Sequence, residues 1–134
     1  MTARRAHCDC GGLTVDTATD PIRVSICHCL ACKRRTGSAF SWNARYDRSA
    51  VTVTGPYASH TRVGDEGNHI THHFCPTCGV TVFYENSDVP EMIAVQAGTF
   101  GDANFPAPTV SVYHADDRLC GWLRIVTEPL KIWA

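Results

Sequence analysis

The sequence lacks any long apolar run, which limits where the protein can act. No uninterrupted apolar segment approaches the roughly 20 residues needed to cross a bilayer. The basic residues near the start, Arg4 and Arg5, are followed by polar residues rather than by the apolar core of a secretion signal. We therefore expect no membrane partner and a cytoplasmic location.

A strong charge of either sign is also missing. Twelve basic and thirteen acidic residues give a formal charge of −1. Because ligating thiols are deprotonated, loading the two metal sites inferred below would bring the charge to about −4. We therefore expect no nucleic-acid partner.

Low-complexity segments and fixed-period repeats are absent as well. A length of 134 residues suits one domain with its own core, so we expect a single domain over residues 1–134. The hydrophobic content of 44%, with ten glycines and seven prolines, indicates short elements joined by many turns.

Most periodic segments alternate between apolar and polar residues, which predicts β-strands. The clearest cover residues 50–54, 80–84 and 110–113, and looser ones cover 13–16, 22–26, 39–46, 57–63, 69–74 and 92–97. Only residues 30–35, which Gly37 stops, favour a helix. The prediction is a mainly β protein with at most short helices, whose apolar final segment, 122–133, helps to close the core.

Seven of the eight cysteines form three short clusters, at residues 8–10, 27–32 and 75–78. The Cys-x-x-Cys-Gly sequence that starts at Cys75 is typical of a zinc knuckle, a turn that brings two sulfurs to one metal. A structural zinc needs four ligands, and the pair Cys8 and Cys10 is the natural complement to Cys75 and Cys78. We predict a closed, structural zinc site.

The remaining cluster, Cys27, Cys29 and Cys32, supplies three ligands at the start of the expected helix. An open fourth position distinguishes catalytic zinc from structural zinc, and the helix amides favour thiolates. We predict a second zinc there, which can be partly occupied. His28 or Cys120 can complete the site instead, although Cys120 is more simply explained as a small buried side chain.

Other uses of these residues are less consistent with the sequence. Disulfides do not suit an odd set of three cysteines in a reducing compartment, and a thioredoxin-type pair needs a βαβ context. We expect His69, His72 and His73 to be exposed strand residues rather than ligands.

The only concentrated basic run follows the second cluster and comprises Lys33, Arg34 and Arg35. These side chains form either a solvated helix face or, beside the open zinc, a site for substrate carboxylates.

The order of the motifs resembles that of the glutathione-dependent formaldehyde-activating enzyme family. They are Cys-x-Cys-Gly-Gly, then Cys-His-Cys-x-x-Cys-Lys before Thr-Gly-Ser, then Phe-Cys-x-x-Cys-Gly. The match continues through the segment 97–102, Pro106, Pro108, His114 and Trp122, and so covers nearly the whole chain. At Phe100 and Gly101 this chain departs from the family pattern, so a reshaped loop is expected there.

The resemblance implies a fold of several coiled, antiparallel β-sheets arranged like a tent around zinc. It also implies a structural zinc and a second, catalytic zinc, with the ligands Cys8, Cys10, Cys75 and Cys78 for the first and Cys27, Cys29 and Cys32 for the second. The implied activity is that of a carbon–sulfur lyase, which forms S-hydroxymethylglutathione from formaldehyde and glutathione, or an equivalent adduct of another aldehyde and thiol. A non-catalytic zinc-stabilised binding module and a glutathione or zinc carrier are the alternatives.

Overall fold

The computed structural model describes residues 1–113, 118–124 and 131–133, which form eleven strands, one α-helix and two 3₁₀ turns. The strands are β1 (Arg4–His7), β2 (Thr14–Thr17), β3 (Arg23–Cys27), β4 (Ser41–Asp47), β5 (Val51–Thr54), β6 (Ala58–Val63), β7 (His69–Phe74), β8 (Thr81–Asn86), β9 (Met92–Gln96), β10 (Val110–Val112) and β11 (Lys131–Ile132). The helix α1 is Leu30–Thr36, and the 3₁₀ turns are Arg48–Ala50 and Ala97–Phe100. The prediction of a mainly β fold with short helices is confirmed.

The predicted elements agree closely with the observed ones. Each of the nine predicted strands overlaps an observed strand, and α1 ends at Gly37 in the left-handed conformation expected of a helix stop. Strands β1 and β11 and the two 3₁₀ turns were not predicted. β1 has only one apolar residue, Ala6, so it offers almost no alternation to detect.

The strands form two sheets with different roles. The small sheet has the order β1-β2-β5, and the large sheet has the order β11-β10-β3-β4-β9-β8-β7-β6. Strand β10 runs parallel to both β3 and β11, whereas the other recorded pairings are antiparallel. The expectation of antiparallel sheets therefore does not extend to β10. A parallel neighbour needs a long crossover, and most of the chain lies between β3 and β10.

The core lies between the two sheets. Leu13 and Val15 reach it from the small sheet side, and Ala44, Tyr46 and Val95 reach it from the large sheet. The same buried cluster includes one cysteine from each pair of the predicted structural site, Cys8 and Cys75. The core and the first cysteine site are therefore one packed unit.

The loop that was expected to differ in shape contributes to this core. The 3₁₀ turn Ala97–Phe100 ends at Gly101, and the Phe100 ring stacks on Phe105 with 4.8 Å between ring centroids. The Tyr46 ring lies 6.3 Å from that of Phe100. The turn therefore directs Phe100 into the core.

The two tryptophans that bound the predicted final segment do not help to close the core. Trp122 is 74% exposed and Trp133 is 40% exposed, so neither tryptophan is a core residue. Residues 125–130 lie outside the described part of the chain. Among the described helices, none has the length and apolar character of a membrane span.

Gly55 provides a direct test of how the first cysteine cluster is positioned. It has a φ of +100°, and a Cβ added there would overlap the carbonyl oxygen of Gly12, two residues after Cys10. We expect Gly55→Ala to lower the free energy of unfolding by about 2 kcal/mol or more, measured by urea denaturation.

The control for this substitution is Gly67→Ala. Gly67 also has a positive φ, +83°, but an added Cβ would meet nothing within 4 Å. It should cost only the backbone strain, about 1 kcal/mol. Equal losses in the two variants would mean that the contact with Gly12 is not restrictive.

Candidate metal centres and the adjoining cavity

The first centre consists of four cysteines brought together from two turns. The sulfur atoms of Cys8, Cys10, Cys75 and Cys78 all lie within 4.8 Å of one another. The sulfur of Cys10 lies 3.6 Å from those of Cys8 and Cys75. A tetrahedron with metal–sulfur distances of about 2.3 Å has sulfur–sulfur edges of about 3.8 Å. The spacing therefore suits a metal ion of the size of zinc.

Backbone hydrogen bonds hold both turns in the shape that presents these sulfurs. Cys8 N donates to Leu13 O at 3.0 Å, and Cys75 N donates to Val80 O at 3.0 Å. Amide hydrogen bonds, first from Cys10 and then from Val80, lower the pKa of Cys78 to about 6. Amides that face sulfur stabilise the thiolate, which is the form that binds metal.

The second centre lies at the junction of β3 and α1. Cys27 ends the strand, Cys29 caps the helix and Cys32 lies in its first turn, with the three sulfurs within 4.8 Å of one another. Cys32 N donates to the Cys29 sulfur at 3.3 Å. Hydrogen bonds from the Cys27 thiol and then from Cys32 lower the pKa of Cys29, whereas that of Cys27 is raised. Three sulfurs this close repel as thiolates, so the cluster favours a bound cation.

The two residues considered as a fourth ligand are used elsewhere. His28 is fully buried, with Nε2 2.9 Å from Ser111 Oγ on β10. Cys120 is only partly buried, and its sulfur lies 3.4 Å from Lys33 Nζ. Within residues 1–113, 118–124 and 131–133, neither joins the three-cysteine group. His114, part of the family resemblance, lies outside the described residues.

Two of the strand histidines are not exposed, so that expectation is wrong for them. His72 and His73 are each 6% exposed, because side chains of the neighbouring strands pack against them. His73 packs against Phe83 and hydrogen-bonds to Ser59 and Glu85, at 2.7 and 2.6 Å. His72 packs on Tyr84, with ring centroids 5.1 Å apart, and lines the cavity described next.

A cavity of about 720 Å³ adjoins the second centre. The three cysteines line it, together with more cationic than anionic side chains. The cations are Arg23, Arg34, Arg35, Arg45, Arg62 and Arg118, and the anions are Asp65, Glu66 and Asp88. Such an excess of positive charge in a concave site attracts anionic ligands.

The basic run divides between two environments. Arg34 and Arg35 line the cavity, whereas Lys33 does not and donates instead to the carbonyl of Arg118. Sequence reasoning missed Arg23 and Arg45, which stand singly on separate strands. For Arg23 the sequence contains a signal, the spacing of two residues between Arg23, Ser25 and Cys27. Residues at this spacing share one face of a strand such as β3.

Tyr84 contributes a neutral hydroxyl to the same cavity. Burial, and then the negative charges of Cys32 and Cys27, raise its pKa to about 12. The phenol therefore keeps its proton at neutral pH and can donate a hydrogen bond to a ligand oxygen.

Comparisons with known proteins agree with this description. A family model described as glutathione-dependent formaldehyde-activating enzyme matches residues 3–116. The crystal structure of a Rhodobacter sphaeroides protein is similar, with a TM-score of 0.58 and 22% identity over 75% of this chain and 90% of that chain. This likeness supports the fold. No curated protein matches the sequence significantly.

The buried position of His72 predicts how stability changes with pH. Burial first, and then the charges of Arg35 and Arg62, lower the pKa of His72 from 6.5 to about 3. Between these two pH values the unfolded chain binds a proton that the folded chain does not. The free energy of unfolding therefore decreases as the pH is lowered through that window. Going from about pH 6.5 to 5.5, His72→Gln should lose about 1 kcal/mol less unfolding free energy than the parent.

Chemical denaturation at the two pH values measures this difference. His60→Gln is the control for loss of a histidine, because His60 is the exposed cross-strand partner of His72. If His72→Gln and the parent lost the same stability, His72 would not be held neutral.

Proposed function

Because the chain belongs to the glutathione-dependent formaldehyde-activating enzyme family, we propose that it is a zinc-dependent carbon–sulfur lyase. In its reaction the thiol of glutathione adds to formaldehyde, or a related thiol adds to another aldehyde. The reaction is reversible, so the same site can also release the aldehyde. The thiol sulfur bonds to the aldehyde carbon, and the thiol proton ends on the aldehyde oxygen. The reaction needs no oxidant or reductant.

The observation that carries the proposal is the placement of three cysteines in the wall of an arginine-lined cavity. Its volume of about 720 Å³ falls within the range of small-molecule sites, roughly 300–1,000 Å³. A cavity of this kind favours a small-molecule activity over a non-catalytic binding module.

Each group in the cavity has a role in the proposed reaction. Zinc held by Cys27, Cys29 and Cys32 would supply a Lewis acid that lowers the pKa of the substrate thiol. The protonated Tyr84 hydroxyl can donate to the aldehyde oxygen as charge develops there. The cavity arginines can bind the carboxylates of glutathione and hold the sulfur in place.

The four-cysteine centre has a structural role in this proposal. A zinc bound there would link Cys10 to Cys75, 65 residues apart, and so restrict the unfolded chain as a crosslink does. None of the eight cysteines, all within the described residues, forms a disulfide, which suits a reducing compartment such as the cytoplasm.

Zinc content tests the division of the cysteines. The protein should carry about two zinc ions per chain after desalting, and Cys75→Ser and Cys29→Ser should each retain about one. Cys75→Ser should lower Tm more strongly, because it removes a site within the core. Atomic emission and thermal unfolding measure the two quantities.

Cys120→Ser is the matched control and should retain both ions, because Cys120 belongs to neither group of sulfurs. Retention of both zinc ions by Cys75→Ser or Cys29→Ser would contradict the assignment of that cysteine.

Rate measurement tests the reaction. Addition of the protein to formaldehyde and glutathione should speed formation of S-hydroxymethylglutathione beyond the spontaneous rate, as followed by NMR exchange. Cys29→Ser should lower the catalysed rate by about 100-fold or more, and Cys120→Ser should keep it.

The same proteins separate an enzyme from a glutathione carrier. Calorimetry should show weaker glutathione binding to Cys29→Ser, because the proposed thiol site is lost. If the protein bound glutathione but did not increase the rate at any zinc loading, it would be a glutathione carrier and not a lyase.

A further inference from the structure

Two arginines face each other in the cavity wall at a distance from the cysteines. Arg23 on β3 and Arg45 on β4 are direct cross-strand partners, and both line the cavity. Like charges in this position repel, so the pairing is unfavourable unless an anion lies between or beside them.

Neither arginine is neutralised by the described part of the protein. The ion pairs recorded for arginines in residues 1–113, 118–124 and 131–133 involve Arg4, Arg5, Arg48 and Arg118. The Nε atom of Arg23 is buried, and no hydrogen-bond partner is found for it among those residues. Burial first, and then the charge of Arg45, lower the pKa of Arg23. Both arginines are half-buried, and a buried donor such as Arg23 Nε normally has a hydrogen-bond partner, so an anionic ligand is expected here.

The surroundings leave the arginines free to bind such a ligand. The Arg23 guanidinium lies over the Trp133 ring, 5.3 Å from its centroid. Stacking of this kind fixes the plane of the guanidinium while its edge N–H groups remain available to a carboxylate. Between the arginines and the cysteine cluster, Ser25 and Asn43 form a polar cross-strand pair that also lines the cavity.

The spacing between the arginines and the cysteines limits the size of the ligand. Arg23 and Cys27 are four residues apart on one strand, which corresponds to about 13 Å. The thiol of glutathione is on its middle residue, so each carboxylate lies about two residues, or ~7 Å, from the cysteine backbone, and the long arginine side chains cover the remaining gap. A small thiol such as 2-mercaptoethanol cannot reach from the cysteines to the arginines.

We propose that Arg23 and Arg45 form a carboxylate-binding site for the end of the substrate remote from its sulfur. The site selects short anionic peptide thiols over small or neutral thiols. The identity of the ligand as a thiol rests on the proposed function, whereas the anion site rests on the arginine pair itself.

Calorimetry with S-methylglutathione tests this site apart from thiol chemistry. The methylated sulfur cannot form a thiolate, so its binding reports the carboxylate contacts. Arg23→Gln and Arg45→Gln should each weaken binding by about tenfold or more, because a charged hydrogen-bonded contact is lost. The dimethyl ester of S-methylglutathione has no free carboxylate, so it should bind weakly to the parent, and neither substitution should change its affinity.

Arg48→Gln is the matched control, because Arg48 pairs with Glu85 and is not among the cavity residues. It should bind S-methylglutathione as the parent does. Unchanged affinity in both Arg23→Gln and Arg45→Gln would overturn the proposal.

Thermal unfolding of the ligand-free variants distinguishes binding from a structural role. Arg45→Gln removes one of two unpaired like charges and keeps the contact between Arg23 and Trp133, so it should leave Tm unchanged or raise it. A lower Tm in both variants would show that the protein itself satisfies these arginines and would overturn the proposal. If the parent protein showed no lyase activity but still bound S-methylglutathione through these arginines, the proposed reaction would be wrong and the proposed anion site would stand.

Discussion

The convergence of four cysteine sulfurs at the edge of the core is the constraint on which the rest of the structure depends. Cys8 and Cys75 are buried with the apolar side chains that join the two sheets, so the charge on their sulfurs must be compensated locally. Backbone amides supply part of this compensation, and the sulfur spacing suits a cation for the rest. Packing of the sheets and assembly of this centre therefore depend on each other.

The large sheet separates two kinds of chemistry. Val24 and Ala44 on β3 and β4 face the core, whereas Arg23 and Arg45, one residue away on the same strands, face the cavity. The alternation of a β-strand thus places a rigid apolar layer directly behind a charged binding surface. Side chains on the cavity face are held by a sheet rather than by loops, which restricts their movement when a ligand binds.

Local sequence patterns predicted most of this structure. The features that they did not predict depend on pairing between strands that are distant in the sequence. Alternation located nine strands, and the cysteine spacing grouped the sulfurs as the structure does. The register that sets Arg23 opposite Arg45 joins separate strands, so no local pattern reveals it. Burial of His72 and His73 was missed for a related reason, since it depends on side chains of the neighbouring strands β6 and β8 that contact them.

The parallel strand β10 has a consequence for how the protein folds during synthesis. It pairs with β3, and Ser111 contacts His28 across 83 residues of sequence. Such distant contacts form late and slow folding. The wall beside Cys27 is therefore complete only after residues 110–112 have been synthesised and have paired with β3, and until then the three cysteines are exposed to metal ions and oxidants that react with thiols.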